Sequence, residues 1–363
     1  MKKLRILVAD DSALMRKVLK KMIESEPDME VVDVARDGED AVEKARELLP
    51  DVITMDINMP KMDGLTALQI IVEEKIAPVV VVSSLTQEGS VTAFEALELG
   101  AFDYVPKPGG TVSLNMDSIK QRLIETIRSA HKTFTKKGSV DRLTAKIEKT
   151  DYSDIKKSTS TIIVEKATIT TFYAVAIGIS TGGPKTIYDV LPLLPSNLNA
   201  AVFLVQHMPP NFTRQYAERL NRYCKIQVVE ASDGMIVRPG IVYVGKGGFH
   251  LKLRKSNDEI KIRLSKIPKH MFMPSVDVMM ESVFNVFGKN TVGVLMTGMG
   301  DDGARAMAKI KQGGGYTIAE SEETAIVFGM PAEAIKKGGA SVVLPSHKIA
   351  FEIIKIVGTN SGR

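Results

Sequence analysis

Gly178-Ile179-Ser180-Thr181-Gly182-Gly183-Pro184, preceded by the apolar run Phe172 to Ile179, is the stretch on which the reading of the chain turns. An apolar run of that length fits a buried strand. Pro184 then opens an amphipathic stretch, with Ile187, Val190, Leu191 and Leu194 at helical spacing, and proline suits a first helical turn. The expectation is a sharp strand-to-helix turn with the Ser180 hydroxyl facing backbone N–H groups at a helix N-terminus, where a nucleophile or an anion is favoured. Three readings stay open on these residues alone. Gly178 to Gly182 fits the nucleophile elbow G-x-S-x-G. Gly178 and Gly183 also have P-loop spacing, with Lys185-Thr186 following, but Pro184 shifts the lysine and removes an N–H from a phosphate cradle. The third is a glycine-rich turn whose serine only caps a helix.

Composition narrows the class. A chain of 363 residues holds two or three domains at ~150 residues each. Hydrophobic content of 44% and charged content of 25% are those of a globular protein with substantial cores. No apolar run approaches the ~18 residues of a membrane span. The basic start Met1-Lys2-Lys3 meets Asp10-Asp11 too soon for a signal peptide. Cys224 is the only cysteine, which excludes an intrachain disulfide and argues against a thiolate metal cluster. A cytoplasmic location is expected. Of the net charge of +5, a surplus of four falls between Ser129 and Lys166, so the charge marks a solvated connector and not a nucleic-acid site.

Upstream of that connector, strand-like runs recur near Leu4–Ala9, Val31–Ala35, Val52–Met55, Pro78–Val82 and Phe102–Val105, separated by helical periodicity. Alternation of this kind predicts a parallel sheet covered on both faces, with ligands beyond the carboxyl ends of the strands. Asp10 and Asp11, Asp56, Ser83 and Lys107 all stand at those ends. Three converging carboxylates suit Mg²⁺, and a carboxylate can accept a phosphoryl group as an acyl phosphate. A lysine and a serine hydroxyl would offset and bind its oxygens.

On Ile-Leu-Val-Ala-Asp-Asp-Ser, Met-Asp-Ile-Asn-Met-Pro-Lys-Met-Asp-Gly and Tyr-Val-Pro-Lys-Pro, residues 1 to about 125 resemble a response-regulator receiver domain. The resemblance implies a flavodoxin-like fold and Asp56 as phosphoacceptor. It places Asp11, Asp56 and the Asn58 carbonyl on Mg²⁺ with Asp10 assisting, Ser83 and Tyr104 as switch residues, and Lys107 on the phosphate.

Residues 129–170 read as a basic polar linker, beginning with the tail of a helix and ending in a short strand at Thr161–Val164. No helix-turn-helix pattern follows the first domain. Beyond the linker, strand–turn–helix units return. Ala200–Gln206 ends in His207-Met208-Pro209-Pro210, and Thr291–Met296 ends in Thr297-Gly298-Met299-Gly300-Asp301-Asp302-Gly303 before a helical stretch. Ile241–Val244 and Phe249–Leu253, joined by Lys246-Gly247-Gly248, are expected to form a hairpin. Further strands are expected near Tyr316–Ala319 and Ser341–Leu344. The second domain is thus expected to be doubly wound and mostly parallel α/β, with a small antiparallel insertion.

Ser180, His207 and one of Asp301 and Asp302 then all fall at carboxyl ends of strands. A serine needs a base to accept its proton, and a carboxylate fixes the tautomer of an imidazole base. Position favours His207 over His250 and His270. Pattern does not choose between the two aspartates, either of which could cap the next helix. The chain order Ser, His, Asp differs from the Ser, Asp, His of α/β-hydrolases.

Gly-Ile-Ser-Thr-Gly-Gly-Pro, Gln206-His207-Met208-Pro209, Thr-Gly-Met-Gly-Asp-Asp-Gly and Phe328-Gly329-Met330-Pro331 together resemble the catalytic domain of chemotaxis protein-glutamate methylesterases, the CheB family, over residues 171 to 358. That resemblance implies Ser180 as nucleophile, His207 as base and Asp302 as orienting acid, with the Met299 amide and a donor near Thr181 forming an oxyanion hole. It implies demethylation of glutamyl methyl esters, and deamidation of glutamines, on methyl-accepting chemoreceptors. The phosphodonor implied is a chemotaxis histidine kinase, with Mg²⁺ for receiver phosphorylation and no cofactor for ester hydrolysis. Contact with the membrane would run only through the receptors. The unphosphorylated receiver is expected to cover the Ser180 site.

Overall fold

The computed structural model describes residues 3–83, 87–108, 116–137, 172–256 and 259–359; the strand expected at Thr161–Val164 lies outside them. In the first domain, β1 (Leu4–Ala9), β2 (Met29–Ala35), β3 (Val52–Met55), β4 (Val79–Ser83) and β5 (Asp103–Pro106) form one sheet in the order β2-β1-β3-β4-β5. Every pairing in it is parallel. Between the strands run α1 (Ala13–Glu24), α2 (Gly38–Leu48), α3 (Gly64–Glu73) and α4 (Gln87–Leu99). β3 and β4 are buried at every position, as strands covered on both faces must be. Ser12, Asp37 and Asp63 cap α1 to α3, each accepting a backbone N–H three residues on. The last helix, α5 (Met116–Lys137), continues past residue 128 into the segment expected to start the linker.

The second domain is built on β6 (Tyr173–Ile179), β7 (Ala200–Gln206), β8 (Gln227–Glu230) and β9 (Ile241–Val244), a separate pair β10 (His250–Ser256) and β11 (Glu259–Ser265), and β12 (Thr291–Leu295), β13 (Tyr316–Glu320) and β14 (Val342–Leu344). The main sheet runs β14-β13-β12-β6-β7-β9-β8, parallel throughout. Its helices are α6 (Gly183–Thr186), α7 (Phe212–Tyr223), α8 (Val276–Phe287), α9 (Ala304–Gln312), α10 (Met330–Lys336) and α11 (Ser346–Val357).

Two local expectations are corrected. β9 is not half of a hairpin: it lies inside the main sheet between β7 and β8, and the antiparallel pair is β10 with β11. The glycines after β9 serve a close approach instead of a reversal, since a Cβ on Gly247 would sit 2.6 Å from the Pro209 carbonyl oxygen. The stretch after Pro184 is not one helix either. α6 is a single turn, followed by 3₁₀ turns at Ile187–Asp189 and Leu191–Leu193. Pro192 has no N–H to continue a helix and disfavours helical geometry at Leu191. Ile187, Val190, Leu191 and Leu194 are all fully buried, so their spacing reported burial but not helix.

The domains pack through aromatic rings. Phe94 of α4 stacks on Tyr216 of α7 at 5.7 Å, and Tyr104 of β5 stacks on Phe212 at 5.0 Å. All four belong to one buried cluster that runs from sheet to sheet.

Candidate active site and phosphoacceptor site

β6 and β7 are neighbours in register up to Ile179 and Gln206, so Ser180 and His207, the next residue of each strand, leave the sheet side by side. His207 Nδ1 lies 3.0 Å from Ser180 Oγ, and His207 Nε2 lies 2.8 Å from Asp302 Oδ2. Asp302 is buried, whereas Asp301 is exposed and reaches Lys337. Neither caps α9: Gly303 holds that position without a side-chain bond. Ser180 does not cap α6, which starts from Gly182 in the left-handed region; its hydroxyl turns to His207 instead.

Asp302 instead meets the N-terminus of α8. Oδ1 accepts from Ser275 Oγ at 2.8 Å and Asp277 N–H at 2.9 Å, and Oδ2 accepts from Val276 N–H at 2.7 Å. Burial alone would raise this carboxyl. The hydrogen bond and charge of His207, with the N–H groups of Asp277 and Val276, outweigh it and hold the carboxyl well below the usual range. An ionised Asp302 accepts a hydrogen bond from His207 Nε2–H, which keeps the proton on Nε2 and leaves Nδ1 to accept from the Ser180 hydroxyl. Phe272 stacks on the His207 ring at 4.1 Å.

The rival histidines are occupied elsewhere. His250 Nδ1 accepts from Ser275 N–H and its Nε2 donates to the Pro268 carbonyl, with burial lowering its pKa. His270 is exposed and accepts from Phe272 N–H.

The Ser180 turn is pinned at its backbone. Ser180 N–H donates to the Thr297 carbonyl at 2.9 Å, while Gln206 Nε2 and Gly183 N–H donate to the Ser180 carbonyl. The Thr297 hydroxyl donates to the Thr181 carbonyl. Gly298 is required by proximity, since a Cβ there would lie 2.8 Å from Ser180 Cβ. Among the described residues, no hydrogen bond engages the N–H of Thr181 or Met299. Ser275, Phe272 and Thr297 meet the site although the sequence patterns assign them no role. Ser275 carries a readable signal, a serine before the amphipathic run that becomes α8, whereas Phe272 sits in a loop without pattern.

In the first domain, carboxylate oxygens of Asp10, Asp11 and Asp56 lie within 4.8 Å of one another. Lys107 Nζ bridges Asp10 Oδ2 at 2.8 Å and Asp56 Oδ2 at 2.7 Å. Burial, with the Asp10 charge added, pushes the Asp56 carboxyl up against the pull of Lys107. An all-oxygen acidic set with a lysine at hand fits a hard divalent cation. Asn58 is exposed two residues beyond Asp56, and Ser83 is buried at the end of β4. Tyr104 is buried between the domains, and the same face brings Asp103 to the Thr181 side chain and Ala101 O to Lys185 Nζ at 2.6 Å. Arg219 of α7 pairs with Glu98 of α4.

A receiver-type sheet with an acidic pocket, packed on a parallel α/β domain that aligns serine, histidine and aspartate, places the chain among enzymes governed by a receiver domain. The comparisons agree in both halves. The CheB methylesterase model matches residues 175–353 and the response regulator receiver domain model residues 6–117. A protein-glutamate methylesterase/protein-glutamine glutaminase 3 of Syntrophomonas wolfei is 57% identical over 357 residues, 98% of this chain and 99% of its own. The counterpart of Thermotoga maritima is 43% identical over 98% of each chain. The crystal structure of the Thermotoga maritima CheB methylesterase catalytic domain superposes with a TM-score of 0.51 at 41% identity, covering 52% of this chain and all of that one. The chain belongs to the CheB family of protein-glutamate methylesterases/protein-glutamine glutaminases.

Proposed function

We propose that the chain hydrolyses glutamyl methyl esters, and deamidates glutamines, on methyl-accepting chemoreceptors, with Ser180 as nucleophile. The observation that supports this most is the unbroken relay from Ser180 Oγ to His207 at 3.0 Å and from His207 to Asp302 at 2.8 Å. Ser180 Oγ attacks the ester carbonyl as its proton passes to His207 Nδ1. Asp302 holds the ring and stabilises the imidazolium. The N–H groups of Thr181 and Met299 receive the developing oxyanion. The C–O bond to the leaving group breaks, His207 returns the proton, and methanol departs from an acyl-enzyme; for an amide, ammonia departs. Water activated by His207 then releases the glutamate and restores Ser180.

In the same reading residues 1–128 form the receiver, 129–170 the linker and 171–358 the catalytic domain. Asp56 takes a phosphoryl group from a chemotaxis histidine kinase. Asp11, Asp56 and the Asn58 carbonyl, with Asp10 assisting, would hold Mg²⁺, which would neutralise charge on the incoming phosphoryl group. Lys107, already beside Asp56, moves to the phosphate, and Ser83 hydrogen-bonds its oxygens. Tyr104 carries the change to the interface, because its ring is seated against Phe212. In the docked state the receiver covers the Thr181 side of the site, and phosphorylation shifts the population away from it. A cytoplasmic location belongs to the same proposal.

Ser180→Ala tests the core of this reading. Methanol release from methylated receptor membranes is expected to vanish while stability changes by about 1 kcal/mol or less, since the side chain caps no helix. Release at the native rate from that variant would overturn it.

A further inference from the structure

Glu320 ends β13 fully buried, and the reaction described above makes no use of it. Its Oε2 accepts the Thr297 N–H at 2.7 Å and its Oε1 accepts the Thr324 hydroxyl at 2.8 Å. Thr297 is the residue through which the end of β12 grips the nucleophile turn. Its carbonyl accepts the Ser180 N–H at 2.9 Å, its hydroxyl donates to the Thr181 carbonyl at 2.9 Å, and the same hydroxyl accepts the Val327 N–H at 2.9 Å. Glu320 is therefore one hydrogen bond from the residue that sets both Ser180 and Thr181.

The carboxyl group has no cation against it among the described residues. Burial, reinforced by Asp189, pushes it up to about 7 in spite of the bonds from Thr297 and Thr324. A lone buried charge is costly, whereas a buried hydrogen-bonding group with both ends engaged is not. The Thr324 hydroxyl accepts one N–H, from Ser346, and retains a lone pair. A neutral group at Oε1 can therefore donate to Thr324 while Oε2 still accepts from Thr297.

We propose that Glu320 is a positioning residue for the nucleophile, holding Thr297 so that Thr297 fixes the Ser180 and Thr181 backbone against His207 and the oxyanion site. The proposal rests on the reading of Ser180 as nucleophile. Glu320 acts by the reach and direction of its hydrogen bonds and not by its charge. Glutamine reproduces both bonds. Aspartate, one methylene shorter, keeps the carboxyl group and loses the reach.

The test uses the full chain treated with acetyl phosphate and Mg²⁺, as native protein and as Glu320→Ala, Glu320→Asp and Glu320→Gln. Two rates are read: methanol release from methylated receptor membranes, separated into kcat and KM, and phosphonylation of Ser180 by a small fluorophosphonate. Ala and Asp are expected to lower kcat by about ten- to a hundredfold, the scale of a small misplacement of reacting groups. KM should stay within about twofold, phosphonylation should slow in proportion to kcat, and Gln should restore both rates. A merely structural role would lower the folded fraction and leave the kcat and phosphonylation rate of each folded molecule unchanged; that result overturns the proposal. So does a Gln variant as impaired as Asp. If Ala does not fold, Asp and Gln decide between them. Labelling or hydrolysis that persists in Ser180→Ala would instead strike the underlying reading.

Discussion

At the residue scale the site depends on how one carboxylate is charged. Asp302 is ionised because the fold supplies it with His207, the Ser275 hydroxyl and two N–H groups of α8. Its carboxyl lies below the unfolded value of 3.8, so the stability it contributes is fully present above about pH 4 and is lost as pH falls. Asp302→Asn should lower kcat by ~10³–10⁴, through loss of the tautomer that leaves Nδ1 free to accept. Its melting temperature should also fall less steeply than that of the native chain as pH drops below about 4. Thermal melts across that window check the second outcome, and parallel acid limbs would contradict it. This pairing was only half legible in the sequence. The motif placed an acidic pair after β12, but the choice of Asp302 depends on its meeting the N-terminus of α8, 25 residues earlier in the chain, which no local pattern records.

At the element scale, the sequence patterns that succeeded were those tied to burial. The strands of both sheets were readable because a covered parallel strand is apolar along its whole length, and β6, β7 and β12 lie where their apolar runs put them. What failed was partner choice. β9 has the same apolar signature whether it pairs with β10 or inserts between β7 and β8, and the glycines after it look like a reversal until Pro209 is seen against Gly247. The segment after Ser180 kept its helical burial pattern while Pro192 broke the helix itself. Elsewhere a glycine has a structural reason that can be tested. Gly298→Ala sets a methyl group 2.8 Å from Ser180 Cβ and against Met330 Sδ, so the end of β12 or the Ser180 turn must move. A cost of about 1–3 kcal/mol is expected from overpacking, with kcat reduced more than KM. Native kcat in that variant would show that the turn tolerates displacement.

At the scale of the whole molecule, the receiver packs against the second domain beside the Ser180 turn. Phe94 and Tyr104 stack on Tyr216 and Phe212, Thr133 Oγ1 donates to the Ile326 carbonyl, and Lys185, next to the Ser180 turn, donates to Ala101 O. Sequence motifs named both domains and include Tyr104, but its partner Phe212 and the pair Phe94 and Tyr216 carry no motif. Phe94→Ala removes ring contacts worth about 0.5–1.5 kcal/mol each. It should therefore raise the activity of the unphosphorylated chain by about two- to tenfold and reduce the further gain from a phosphodonor. Unchanged basal activity would separate this interface from regulation. The most direct test of the whole account is methanol release from methylated receptor membranes by the full chain, with and without acetyl phosphate and Mg²⁺, beside Ser180→Ala and Asp56→Asn. Release by the native chain is expected to rise with the phosphodonor, release by Asp56→Asn not to respond, and release by Ser180→Ala to be absent. Native release from Ser180→Ala, or a full phosphodonor response in Asp56→Asn, would contradict it.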